Sequence, residues 1–209
     1  SSGGYHGHPI KQQRRLEIIE YARANQVYII EDDHNGELKF NTKPIDAMSK
    51  LDNDHIIYIG SFSKLLLPSI RISYMALPNQ LVRLFYEKSR DYHQTASKLE
   101  QLALAMYVED GQLARHLKRL RKHYRNKSTH LLQKLRTTFP QHKFELYETS
   151  LKITMAIKAD LVDQYIALAK QNDILVNKNS NNQITLSFSG ILDQDIDEAV
   201  DRLKEIWIN

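Results

Sequence analysis

The hydrophobic positions divide the chain into two stretches of different character. Leu16, Ile19 and Ala22 repeat at helical spacing and predict a helix over residues 10–25. Val27-Tyr28-Ile29-Ile30 is a short, β-rich apolar run that ends abruptly in Glu31-Asp32-Asp33. A continuous run of this kind predicts a parallel-sheet strand buried on both faces. A polar loop and a short helical stretch over 45–51 follow. Residues 55–59 predict a second buried strand, ending in Gly60-Ser61-Phe62-Ser63-Lys64, and residues 70–77 a third. Pro78 then opens a helix at the turn where proline is tolerated. Residues 81–107 read as helical, with a break near 93–97. After Gly111, the residues Leu113, Leu117, Leu120, Tyr124, Leu131 and Leu135 thread one long helix that runs to about residue 139 and stops ahead of Pro140.

The pattern then changes. Residues 143–147 and 151–157 predict a hairpin, 161–171 a helix, 174–176 and 184–188 short strands, and 194–206 a closing amphipathic helix. The first stretch is thus a piece of an α/β sheet and the second an α+β module, joined by the long helix.

Composition narrows the chemistry. The 209 residues include no cysteine, which removes disulfides, zinc ribbons and thiol catalysis and fits a cytoplasmic location. No apolar run reaches 18 residues, so no membrane-spanning helix is expected. Residues 1–9 are small and polar, and His6 and His8 read as part of a ragged end; no metal site is expected. Net charge is +4, and nine Lys or Arg stand between Arg115 and Arg136 without one Asp or Glu. That run reads as the solvated face of the long helix, with a phosphate-backbone surface as the sharper alternative.

Candidate chemistry gathers at the carboxyl ends of the first two strands, where open α/β sheets build their sites. One cluster is Glu31-Asp32-Asp33-His34. The other is Ser61-Phe62-Ser63-Lys64, with Arg71 seven residues beyond the lysine. Hydroxyls and a guanidinium suit a phosphate. A lysine in a dry pocket can attack an aldehyde, and a carboxylate can hold a protonated ring nitrogen. Together these parts suit pyridoxal 5'-phosphate.

The segments VYIIEDDHNGELKF (27–40) and YIGSFSKLLLPSIRISYMALP (58–78) closely resemble the aminotransferase-like domain of MocR-type regulators of the GntR superfamily, a domain similar to fold-type I aminotransferases. The helix with Arg14-Arg15-Leu16 and the stretch YVEDGQLARHLKRLRKHYRNK resemble it too. The resemblance implies an α/β fold: an incomplete, cofactor-binding large-subdomain mixed sheet with connecting helices over 1–109, and a small α+β C-terminal subdomain over 110–209. It implies that Lys64 condenses with the cofactor aldehyde and is the catalytic position in active relatives. Asp32 would accept the pyridinium N–H, with Asp33 the alternative by one position. Ser61 and Arg71 would grip the phosphate, with Ser63 a weaker candidate.

The chain departs from the family in three ways. His34 stands where a tyrosine usually bonds the cofactor. Thr185 aligns with an arginine that clamps a substrate carboxylate. The first part of the large subdomain and the winged-helix domain that precedes it in the family are not in the sequence. The implied function is an effector-sensing, cofactor-binding domain of a transcriptional regulator, with a fragment of an active aminotransferase as the alternative. The implied partners are a small amine or amino-acid effector, a second copy of the chain that covers the incomplete sheet, and DNA, reached only through the winged helix.

Overall fold

The computed structural model describes residues 10–33, 36–41, 46–63, 65–67, 69–93 and 95–208. His34 and Lys64 lie outside the described residues, as do His6 and His8. The chain divides into two compact units, one up to Arg119 and one from Leu120 onward.

In the first unit, α1 (Gln12–Asn25) leads into β1 (Ile29–Asp33), a 3-10 turn at Met48–Lys50, β2 (Ile56–Ser61) and β3 (Ser73–Ala76). The sheet order is β1-β2-β3. β1 pairs parallel with β2, and β3 runs antiparallel to β2, so the sheet is mixed. Two helices follow, α2 (Asn79–Ser89) and α3 (Lys98–Glu109). The described residues between them are non-helical, where the sequence predicts a break. Ser97 caps α3 by accepting from the Glu100 N–H.

Strand alternation divides this sheet into two unlike faces. Ile29 and Ile56, partners in register, pack with Ile19 of α1 and with Met48 into a small apolar core. Glu31 lies on that covered face and is buried. The opposite face carries Ile30, 64% exposed, and Met75, 43% exposed. The apolar run 27–30 predicts burial on both faces, but among the described residues only one face is covered. β1 also extends through the acidic residues instead of ending before them. Its ladder with β2 continues to the Asp33–Gly60 pair, so the acidic side chains are held in register.

Buried polar contacts tie α1 to this sheet. Glu31 accepts from the N–H groups of Met48 (3.0 Å) and Ser49 (3.1 Å), and the guanidinium of Arg15 stands 4.0 Å from it. Arg15 also donates to the carbonyl of Asp46. A second tie joins Arg23 near the end of α1 to Asp52, at 2.7 Å.

The second unit begins within α4 (Gln112–Thr138). It continues through β4 (Lys143–Tyr147), β5 (Lys152–Ala156), α5 (Val162–Gln171), β6 (Asn177–Lys178), β7 (Ile184–Ser187) and α6 (Ile196–Ile208). Its antiparallel sheet has the order β4-β5-β7-β6. Ile153, Met155, Ile184, Phe188, Leu135, Phe139, Val162 and Ile196 are fully buried and form its interior. Trp207 of α6 stacks on Tyr165 of α5 (5.2 Å between centroids) and donates to its carbonyl. The sequence predicts a strand at 174–176. The observed β6 lies just beyond it, because Asp173 takes a left-handed conformation (φ 59°) that turns the chain before pairing begins.

Candidate functional site

The parallel pairing of β1 and β2 brings both acidic and hydroxyl-bearing strand ends to one end of the sheet. Register then decides which side chains share a face. Asp32 opposes Ile59, so Ile30, Asp32, Ile57, Ile59 and Ser61 lie together, with Met75 and Ser73 continuing that face on β3. The Phe62 N–H donates to the Ile72 carbonyl (3.0 Å), which carries the ladder one step further. Ile72 is buried, and Arg71 stands just ahead of β3 in the chain. Asp32 and Arg71 are both exposed. Asp32 and Ser61 are offset by one strand and two residues, about 8 Å between Cα atoms on sheet geometry.

Asp33 sits on the other face. The Tyr58 hydroxyl donates to its carboxylate (3.2 Å), and the ring of Tyr58 lies 6.0 Å from that of Tyr74. Burial pushes the Tyr58 phenol far above its ordinary range, with the charge of Asp33 and the bond to Tyr74 acting in the same direction. Tyr58 therefore stays a neutral donor and holds Asp33 in place. Tyr74 passes directly over Gly60, where an added Cβ would come within 2.3 Å of its ring. Only glycine allows that approach. The choice between Asp32 and Asp33 thus becomes one of faces: Asp32 looks onto the open side, while Asp33 is engaged by Tyr58.

The segment that flanks Lys64 is bound on both sides. Ser61 Oγ accepts from the Ser63 N–H (3.3 Å), and the Ser63 hydroxyl donates to the Ile70 carbonyl. The N–H groups of Leu65 and Leu66 both bond the Phe62 carbonyl, and His116 bonds the Leu65 carbonyl at 2.8 Å. Beside it lies a pocket of about 400 Å³, lined by Leu66, Leu67, Ile70, Leu104 and Tyr107, with Glu100 and His116 as its polar groups. Such a lining suits the hydrocarbon body of a small ligand.

Thr185 lies in the second unit, in β7, opposite Thr154 of β5. It is 7% exposed, and its hydroxyl has no hydrogen-bond partner among the described residues. No cluster of three or more metal-ligating side chains occurs among the described residues. No helix among them is long and apolar enough to cross a membrane.

Sequence reasoning missed Tyr58, Tyr74 and His116. Gly60 carried a signal for Tyr74, because a glycine inside a strand leaves room for a ring from the neighbouring strand. Nothing in the spacing marked His116, which lies 51 residues from the carbonyl it bonds.

The groups gathered here are a carboxylate and a hydroxyl on one sheet face, with a guanidinium just ahead of β3. They fit a ligand with a protonated ring nitrogen and a phosphate. Residues 10–203 match the family model for aminotransferase class I and II. The chain is 33% identical over 205 residues to the HTH-type transcriptional regulator YdeL of Bacillus subtilis (strain 168), covering 93% of this chain and 44% of that one. It is 34% identical over 116 residues to the probable rhizopine catabolism regulatory protein MocR of Rhizobium meliloti, covering 55% and 24%. Among solved structures it is similar to LysN, an α-aminoadipate aminotransferase from Thermus thermophilus complexed with N-(5'-phosphopyridoxyl)-L-leucine. That match has a TM-score of 0.76 at 22% identity and covers 95% of this chain and 55% of that one. The chain spans under half the length of the two regulators.

Proposed function

The chain belongs to the aminotransferase class I and II family, and from that premise we propose that it is the effector-sensing, pyridoxal-phosphate-binding domain of a MocR-type transcriptional regulator of the GntR superfamily. What supports this reading is the shared sheet face of Asp32 and Ser61, with Arg71 just ahead of β3, in a chain whose relatives above 30% identity include HTH-type regulators. LysN, complexed with a phosphopyridoxyl amino acid, supports the choice of cofactor.

In this reading Asp32 accepts the ring N–H and keeps the nitrogen protonated. Ser61 and Arg71 hold the phosphate, with Ser63 beside them. Lys64 supplies the amine that attaches the cofactor covalently, and His34 takes the place of a hydroxyl donor at the ring. The bound cofactor supplies an electron sink conjugated to the attached amine. The Tyr58–Asp33 bond fixes the strand end, so that Asp32 meets the ring without first reorganising. Thr185 has no charge with which to clamp a carboxylate, which favours sensing of a small amine or amino acid over turnover. Binding controls transcription by favouring one arrangement of a homodimeric cytoplasmic regulator over another.

Titration of the chain with pyridoxal 5'-phosphate, followed by visible absorbance, tests the reading. Saturable binding is expected. Arg71→Ala is expected to weaken it about 10- to 100-fold, the worth of a charge-assisted contact. Binding that is indifferent to both Arg71→Ala and Asp32→Ala overturns it. Conversion of amino acids to oxo acids at ordinary enzyme rates by the full-length protein would replace a pure sensor with the aminotransferase alternative.

A further inference from the structure

The basic helix α4 carries two polar stripes with different fates. His123, Lys127, His130 and Lys134 face a row of aspartates. His130 reaches Asp197 at 3.0 Å, Lys134 reaches Asp201 at 2.8 Å, and His123 and Lys127 flank Asp193 at 3.6 and 3.5 Å. Asp197 and Asp201 sit one turn apart on α6, with Asp193 in the 3-10 turn just ahead of it. Charge on that side is compensated within the unit.

Arg115, Lys118, Arg119 and Lys122 are placed differently. At 100° per residue they fall on the side of α4 opposite Leu113, Leu117, Leu120 and Tyr124. All four are exposed. No acidic residue occurs from 111 to 137, and Arg115 donates to a neutral acceptor, the Asp110 carbonyl, at 2.9 Å. The four lie within about 10 Å of helix axis. A duplex presents about six phosphate charges over that length.

We propose that this stripe of α4 contacts the phosphate backbone of duplex DNA. It would act as a second, sequence-independent contact in addition to any DNA-binding domain, which revises the expectation that DNA is reached only through a winged helix. The inference rests on the regulator reading for bringing DNA within reach, and on the charge pattern of α4 for everything else. Contacts of this kind hold register and orientation without reading bases. In a regulator they would let the state of the effector domain bear on how DNA is held.

The test is fluorescence anisotropy of this chain with a 30-base-pair duplex across a salt series. Four phosphate contacts predict that log K falls with log salt at a slope of about −3.6, roughly a 150-fold loss for a fourfold rise in salt. Lys118→Gln/Arg119→Gln/Lys122→Gln is expected to remove about 2.7 of that slope, while Lys118→Arg/Arg119→Lys/Lys122→Arg keeps it. Because these positions are exposed, circular dichroism of both variants should match the parent. Absence of binding at the lowest salt, an unchanged slope in the glutamine variant, or equally tight binding to poly-glutamate overturns the proposal. Covalent attachment of pyridoxal phosphate at Lys64, measured on the same samples, reports separately on the cofactor reading.

Discussion

Asp52→Asn probes how α1 is clamped to the strands that build the site. The Asp52 side chain is 3% exposed and accepts four hydrogen-bond contacts: from Arg23 Nε (2.7 Å), from the N–H groups of Asp54 (2.9 Å) and His55 (3.1 Å), and from the His55 ring (3.2 Å). Burial alone would push its carboxyl up. The Arg23 bond and the two backbone donors outweigh burial and hold it at about 2, against an ordinary 3.8. A carboxylate lowered on folding stabilises the fold above its unfolded value and loses that contribution as pH falls toward the folded one. The gap corresponds to about 2.4 kcal/mol at most. Arg23 is 55% exposed, and solvent screening reduces the figure to about 1–2 kcal/mol. Urea unfolding followed by circular dichroism, at pH 7, 4.5, 3 and 2.5, is the assay. The variant should be less stable than the parent by about 1–2 kcal/mol at pH 7, and the difference should shrink steadily between pH 4 and 2. A difference that stays constant over that range, or one under about 0.3 kcal/mol at pH 7, refutes the reasoning.

Glu31→Ala should cost about 3–5 kcal/mol in the same assay, because it takes the neighbouring carboxylate from the buried Arg15 guanidinium and leaves two N–H groups without their acceptor. Glu17→Ala, which breaks the exposed Arg14–Glu17 pair, should cost no more than about 0.5 kcal/mol. Thr185→Val should stabilise the second unit by about 1 kcal/mol, since it replaces a buried hydroxyl that has no partner among the described residues with a methyl of similar size. A rise of about 2–4 °C in Tm is the expected reading, and a fall would show that the hydroxyl has a partner.

The elements with strong periodicity were legible in the sequence. α4 runs where its leucines predict, and the chain leaves the helix between α2 and α3 near the predicted break. The burial of the first sheet was less legible. An apolar run shows that a strand can be buried on two faces, but it cannot show whether something covers both. Ile30 is the case in point, apolar and 64% exposed. The acidic cluster could be located but not resolved into roles. Glu31, Asp32 and Asp33 look alike in sequence, yet alternation sends Glu31 inward to Arg15 and the turn at Met48, Asp32 outward, and Asp33 to Tyr58. Those separate fates depend on partners 16 to 25 residues away, beyond the reach of local pattern. The pairing of α4 cations with Asp193, Asp197 and Asp201 was invisible for the same reason, as those partners lie 66 to 70 positions along the chain.

Borohydride reduction of the chain in pyridoxal 5'-phosphate, followed by peptide mass mapping, tests the cofactor reading most directly. The account predicts phosphopyridoxyl label concentrated on Lys64, lost in Lys64→Ala and reduced in Arg71→Ala. Label spread evenly over surface lysines, with Lys64 no richer than Lys118 or Lys122, would contradict it.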